Sequence, residues 1–138
     1  MNNIKRIALV ILVLAASLWP ASCLPGMRED VLIIGAVTIG PITPVQKPNE
    51  CPPVPPEAFA ARKLIIYDES GKKLVREIYF TQIGNSAHGY YAAQVGAGTF
   101  VVDINHNGMD RAANLPMKIT VSKDETVTID VNIDTGIR

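Results

Sequence analysis

The sequence predicts an all-β protein: an antiparallel sandwich of about seven strands behind an N-terminal export segment. Three observations predict it. Short β-branched runs recur with turn residues between them about every ten positions. Residues 125–133 (ETVTIDVNI) alternate strictly, with Val127, Ile129, Val131 and Ile133 on one face and Thr126, Thr128, Asp130 and Asn132 on the other. No stretch after residue 23 sustains a helical period; 56–62 (PEAFAAR) suffices for one helical turn at most.

The first strand is 31–40 (VLIIGAVTIG), where β-branched residues with Gly35 and Gly40 disfavour helix. Residues 41–56 hold seven prolines, which exclude a helix and a central strand, so this segment is a long connection across one end of the sandwich. Residues 63–67 (KLIIY) are a short buried strand. The turn at Asp68–Gly71 follows, with Gly71 supplying a positive φ, and then the strand 73–80 (KLVREIYF). After a loop at 84–89, the strand 89–95 (GYYAAQV) places Tyr90 and Tyr91 on opposite faces. Gly96–Gly98 turns the chain into 99–105 (TFVVDIN), with Phe100, Val102 and Ile104 on one face. A long loop at 107–116 leads to 117–121 (MKITV), whose Met117, Ile119 and Val121 point inward. The turn 122–124 precedes the last strand.

The export segment is explicit. Lys5 and Arg6 form a positive start, residues 7–18 are uncharged and apolar, and Ala21 and Ser22 precede Cys23. Twelve apolar residues are too few for a membrane-spanning helix, which needs about 20. A cysteine after two small residues resembles the bacterial lipoprotein signal, although Pro20 stands where that signal usually has an aliphatic residue. The resemblance implies a signal peptide at 1–22 and a Cys23 carrying diacylglycerol plus an N-acyl chain such as palmitate. A tether over 23–30 and the sandwich over 31–138 would follow. Leu24, in the position where Asp marks inner-membrane retention, points to the outer membrane of a double-membraned cell. Ordinary secretion and a retained anchor are the rival outcomes. If Cys23 is not lipidated, a Cys23–Cys51 disulfide becomes available; if it is, Cys51 is a lone thiol, buried or without a role. The 116 residues after the signal make one domain with net charge −2, and their basic residues form no cluster of the kind nucleic acid requires.

The order from Leu64 to Val102 carries a further resemblance. It runs strand, Asp-x-x-Gly turn (Asp68, Gly71), strand, Gly89-Tyr90, then Gly96-Ala97-Gly98-Thr99-Phe100 and a strand. This resembles the carboxypeptidase-regulatory-like group, whose fold is the transthyretin-like, Greek-key sandwich. In that group the Gly-Tyr strand precedes Pro-Gly-Thr-Tyr; here Ala97 and Phe100 replace Pro and Tyr. The bracketing Gly40, Pro41, Pro44 and Val45, the Cys51-Pro52 pair, and the closing residues 134–138 are similar to small envelope proteins of the group. Relatives carry a cysteine at the position of Thr43, which would pair with a later one, so its absence leaves Cys51 without that partner. The resemblance implies a non-catalytic surface or accessory module, with the membrane and an envelope protein or glycan as partners. One branch of the fold hydrolyses 5-hydroxyisourate, but its C-terminal Tyr-Arg-Gly-Ser is absent here.

Residues 103–108 (DINHNG) match the opening of a calcium loop, in which alternate side-chain oxygens and a glycine turn wrap a hard cation. Asp103, Asn105, Asn107 and Asp110 are the candidate ligands, against a plain strand-to-loop turn. The match lapses at the twelfth position, Asn114, where a bidentate Glu is expected. His88 and His106 lack zinc-site spacing. Asp68/Glu69 and Asp124/Glu125 are turn acids rather than a catalytic pair, and no hydrolase or phosphate-loop motif occurs. Among Tyr79, Phe80, Tyr90, Tyr91 and Phe100, an outward-facing Tyr could stack on a sugar or anchor a partner. A calcium-dependent binding module and an unrecognised hydrolase stand as the alternatives to a non-catalytic envelope lipoprotein.

Overall fold

A computed structural model describes residues 30–44 and 49–138. The candidate lipidation site Cys23, the signal peptide and nearly all of the tether lie outside the described residues. The strands are β1 (Asp30–Gly40), β2 (Lys63–Tyr67), β3 (Leu74–Tyr79), β4 (Thr81–Gln82), β5 (His88–Gly96), β6 (Gly98–Ile104), β7 (Arg111–Ala112), β8 (Met117–Val121), β9 (Thr126–Thr128) and β10 (Val131–Asp134). One short helix, α1 (Pro56–Ala60), ends the proline-rich segment.

These strands form two facing sheets. One runs β4-β5-β1-β10-β7, with β9 also paired to β1; the other runs β3-β2-β6-β8. Between them lies an aliphatic core in which Ile33, Ile39, Leu64, Ile66, Val102 and Ile133 are fully buried. The inward set follows the period of two that a half-buried strand requires, most cleanly in β5, where Gly89, Tyr91, Ala93 and Val95 alternate with exposed residues. The chain changes sheets at Phe80: β3 belongs to one sheet and β4 to the other, and Arg76 on β3 donates to the Gln94 carbonyl on β5, linking the two edges.

Four expectations need correction. The pairing is mixed rather than antiparallel, because β1 runs parallel to both β9 and β10. The last strand is divided at Ile129–Asp130, although its inward face continues unbroken through Val127, Ile129, Val131 and Ile133. Two-residue strands form at 81–82 and 111–112, the second inside the expected loop at 107–116, which brings the strand number among the described residues to ten. Cys51 is exposed rather than buried.

The break at Ile129–Asp130 has a local cause. The Ile129 carbonyl turns inward and accepts the buried Tyr91 hydroxyl at 2.6 Å. Gly35, on the neighbouring strand, leaves room for it. The Ala36 N–H is taken up by the Asp130 carboxylate at 2.9 Å, which stands in for a backbone acceptor. Burial, and secondarily the nearby Asp130 charge, push the Tyr91 hydroxyl far above its ordinary pKa of 10, so it remains a donor.

Strand directions sort the connections by end. β1 begins at Asp30 beside Gly96, and the tight connections 68–73, 96–98 and 122–125 all lie at that end. The Asp68 turn forms as expected, with Gly71 at φ +72° and the Gly71 N–H bonded to the Asp68 carbonyl at 2.9 Å. The proline-rich segment, the 83–87 loop, the 105–116 stretch and residues 135–138 gather at the opposite end.

Candidate functional site

The loop end is built on the proline-rich segment. With seven of its sixteen N–H donors lost to proline, this segment docks through a few of the groups it keeps, and Val54 and the adjoining Phe59 add apolar contact. The Val54 N–H donates to the Asn85 carbonyl at 2.9 Å, and Gln82 Nε2 donates to the carbonyls of Val54 and Ser86, each at 2.9 Å. Val54 and Phe59 are buried. Phe59 packs over Gly89, where a Cβ would lie 2.5 Å from its ring. A cleft of about 480 Å³ remains between this segment and the 85–88 loop, with Ile39, Ile42 and Val54 among its walls and Cys51 and His88 at its polar side.

The candidate calcium ligands lie at the same end, and the side chains of Asp103, Asn105 and Asp110 are engaged by protein groups. Asp110 is buried and grips Arg62 in a two-pronged ion pair, Nε to Oδ2 at 2.6 Å and Nη2 to Oδ1 at 2.9 Å. Arg62 Nη1 also donates to the Ala58 carbonyl of α1 at 2.8 Å. Asn105 bridges backbone on both sides: its Oδ1 accepts the Lys63 N–H at 3.2 Å and its Nδ2 donates to the Ala61 carbonyl at 2.9 Å. Asp103 accepts the Ile104 N–H at 2.8 Å and holds His106 Nε2 at 3.0 Å from both oxygens. Asn107 is exposed, and its carbonyl accepts the Asp110 N–H at 3.2 Å. Asn105 and Asp110 thus tie the 103–110 stretch to residues 61–63 and, through Arg62, to α1, while Asp103 and Asn107 bond within the stretch. Among the described residues no three His, Cys, Asp or Glu side chains form a group able to hold a metal.

Sequence reading missed Arg62, Lys63 and His106 as partners of this stretch. Arg62 and Asp110 stand 48 positions apart, and no spacing rule links them. His106 adopts φ +44°, unusual for a residue other than Gly, a feature seen only in the structure. Its Nδ1 lies 3.3 Å from the Asp110 carbonyl, so protonated imidazole donates on both sides of the loop.

The Asp103 carboxylate, and next the Asp110 carbonyl, raise the His106 pKa above its ordinary 6.5. A pKa raised by folding adds stability that is complete below about pH 6.5 and is lost as pH climbs through the folded-state value. His106→Gln is therefore expected to lower the melting temperature at pH 5.5, and the gap to wild type to close by pH 8.5. The effect stays within about 1 kcal/mol because the ring is half exposed. Parallel thermal melts of the two proteins across that range check it, and a gap that persists unchanged removes the imidazolium clamp.

The remaining sequence candidates scatter. Tyr91 and Phe80 are core, with ring centroids 5.9 Å apart, whereas Tyr79 and Tyr90 are exposed on different sheets. His88 lies 3.2 Å from the Thr38 hydroxyl at Nδ1. Asp68 accepts the Ser70 hydroxyl at 2.6 Å within its turn, and Lys118 pairs with Glu69 at 3.0 Å.

No family model matches the chain, and no curated protein matches it. Among solved structures it is similar to a DUF3823 family protein from Parabacteroides merdae, at 14% identity and a TM-score of 0.40. The likeness covers 75% of this chain and 45% of that one.

Proposed function

We propose that the chain is a non-catalytic lipoprotein of the cell envelope, a carboxypeptidase-regulatory-like sandwich of transthyretin type. In this reading it is held by a lipidated Cys23 and acts as a binding or scaffolding module at the membrane surface. The observation that carries the reading is the sorting of connections by end. The tether enters β1 at Asp30, on the end made of tight turns, while the long loops and the cleft gather at the other. Six residues lie between Cys23 and Asp30, and the span from one to the other reaches at most about 25 Å when extended. The tight-turn end thereby faces the lipid, and the loop end faces away from it, toward envelope partners. Two or more acyl chains give stable anchoring where one is marginal. Leu24 directs the protein to the outer membrane where there is one.

Intact mass of the protein from a membrane fraction, with and without reductant, tests this. The expected chain starts at Cys23, carries added acyl mass and leaves Cys51 reactive to maleimide. A soluble, unacylated chain that gains two mass units on reduction would overturn the anchor and make Cys23–Cys51 a disulfide. Millimolar calcium is expected to leave the melting temperature unchanged; a rise would favour the calcium-dependent module, since a ligand of the native state stabilises it.

A further inference from the structure

The outer face of the larger sheet carries two hollows of about 460 and 430 Å³ that meet at Ala36 and Asp130. Their arrangement follows from register. Ala36 on β1 lies opposite Tyr90 on β5, and on its other side the Ala36 N–H is bonded to Asp130 Oδ1. Tyr90, Ala36 and Asp130 therefore form one row across three chain segments. At about 4.8 Å per strand the tyrosine and the carboxylate stand some 10 Å apart, with an alanine floor between them. The next row is His88, Thr38 and Asn132. Tyr90 is 52% exposed and is flanked by exposed Ile83, which makes an apolar wall. The opposite wall is polar, formed by Asp130, Asn132 and Asn114. Among the described residues, the second oxygen of Asp130 and the Asn132 side chain make no hydrogen bond.

We propose that this trough binds a neutral glycan. A pyranose ring has an apolar C–H face and a rim of hydroxyls, and the trough offers an aromatic wall for the first and a carboxylate with carboxamides for the second. Asp130 Oδ2 accepts from a hydroxyl, while Asn132 both donates and accepts, so the pair reads two adjacent hydroxyls. Among the described residues Asp130 is the one charged residue lining the hollows, which disfavours phosphorylated or carboxylated ligands. An extended peptide finds little here, because the floor is the face of a paired sheet and not an open edge. A second copy packed on this face about a two-fold axis running along that row would set Asp130 near its own equivalent, a costly like-charge contact. The groups stand on strands, or are held by a backbone hydrogen bond as Asp130 is, so little ordering is needed on binding.

The inference rests on the binding role proposed above and gives it a ligand class. The test is titration calorimetry of the full membrane-extracted protein, in a detergent without a sugar headgroup, with maltohexaose, xylohexaose and chitotetraose as probes. At least one probe is expected to bind. Tyr90→Ala and Asn132→Ala are each expected to weaken it about tenfold or more, a difference of about 1.4 kcal/mol, with unchanged melting curves. Asp130→Asn keeps the oxygen that accepts from Ala36 and is expected to weaken binding by altering the other one. Absence of heat with all three probes at about 10 mM, far above any useful dissociation constant, would overturn the proposal. So would binding that is indifferent to Tyr90→Ala and Asn132→Ala. The mass of the same preparation separates the two readings: an unacylated protein that binds glycan at this trough removes the anchor and keeps the site, and an acylated protein that fails to bind does the reverse.

Discussion

Replacing Gly35 by alanine is expected to cost the domain about 3–5 kcal/mol, much of the 5–15 kcal/mol that typically holds such a fold together. The added Cβ would lie 1.9 Å from the Ile129 carbonyl oxygen and 2.9 Å from Tyr91 Cε1. The first contact is with backbone, which no side-chain rotation relieves. The carbonyl must retreat, and with it goes the buried hydrogen bond from Tyr91, leaving a hydroxyl without a partner at about 1–3 kcal/mol. Gly35 has no need of a left-handed φ, so the loss is one of space rather than backbone strain. At about 4–8 °C per kcal/mol for a domain near this size, the melting temperature should fall by about 12 °C or more. Tyr91→Phe provides the graded comparison, since it removes only the hydroxyl. A thermal melt of Gly35→Ala within a few degrees of wild type would mean that the inward carbonyl is dispensable.

Asp110→Ala is expected to have the second largest effect, about 3–5 kcal/mol, because it strands a guanidinium whose side chain is 12% exposed. The carboxylate it removes is 2% exposed and uses both oxygens on Arg62. Arg62 in turn holds the Ala58 carbonyl near the end of a five-residue helix with no side-chain cap. The loss should therefore spread to α1 and the proline-rich segment. The double variant Arg62→Met/Asp110→Leu is expected to regain most of the stability, since replacing both charges by apolar groups leaves none uncompensated. Urea unfolding of the singles and the double gives the coupling directly. Additive losses in the double would show that the pair is incidental and that packing alone holds α1.

What was legible in the sequence is what local chemistry dictates. The runs 63–67 and 117–121 form strands with the boundaries their composition suggests, and the Asp68–Gly71 turn has the φ its glycine implies. Alternation correctly separated Tyr90 from Tyr91. Pairing was not legible, because β1 meets β9 and β10 across 94 positions and alternation is identical for parallel and antiparallel neighbours. The break at Ile129–Asp130 was hidden for a related reason: its determinants, Gly35 and Tyr91, are remote in sequence. In the 103–110 stretch, spacing identified residues rich in oxygen. It could not show that Arg62, Lys63 and Ala61 take up those oxygens and amides, since that depends on where β2 lies.

The interruption at Ile129–Asp130 also bears on how the protein behaves when crowded. Unbroken, the run TVTIDVNI would be a long strand rich in β-branched residues, the composition from which cross-β fibrils are nucleated. Folded, its first part is a three-residue strand paired to β1 alone, and the inward carbonyl and the acid at the break stop that edge from continuing. A neighbouring molecule approaching β9 finds too short a template to zip against. Gly35 and Asp130 thus keep this edge short: the one makes room for the inward carbonyl and the other takes up the Ala36 N–H.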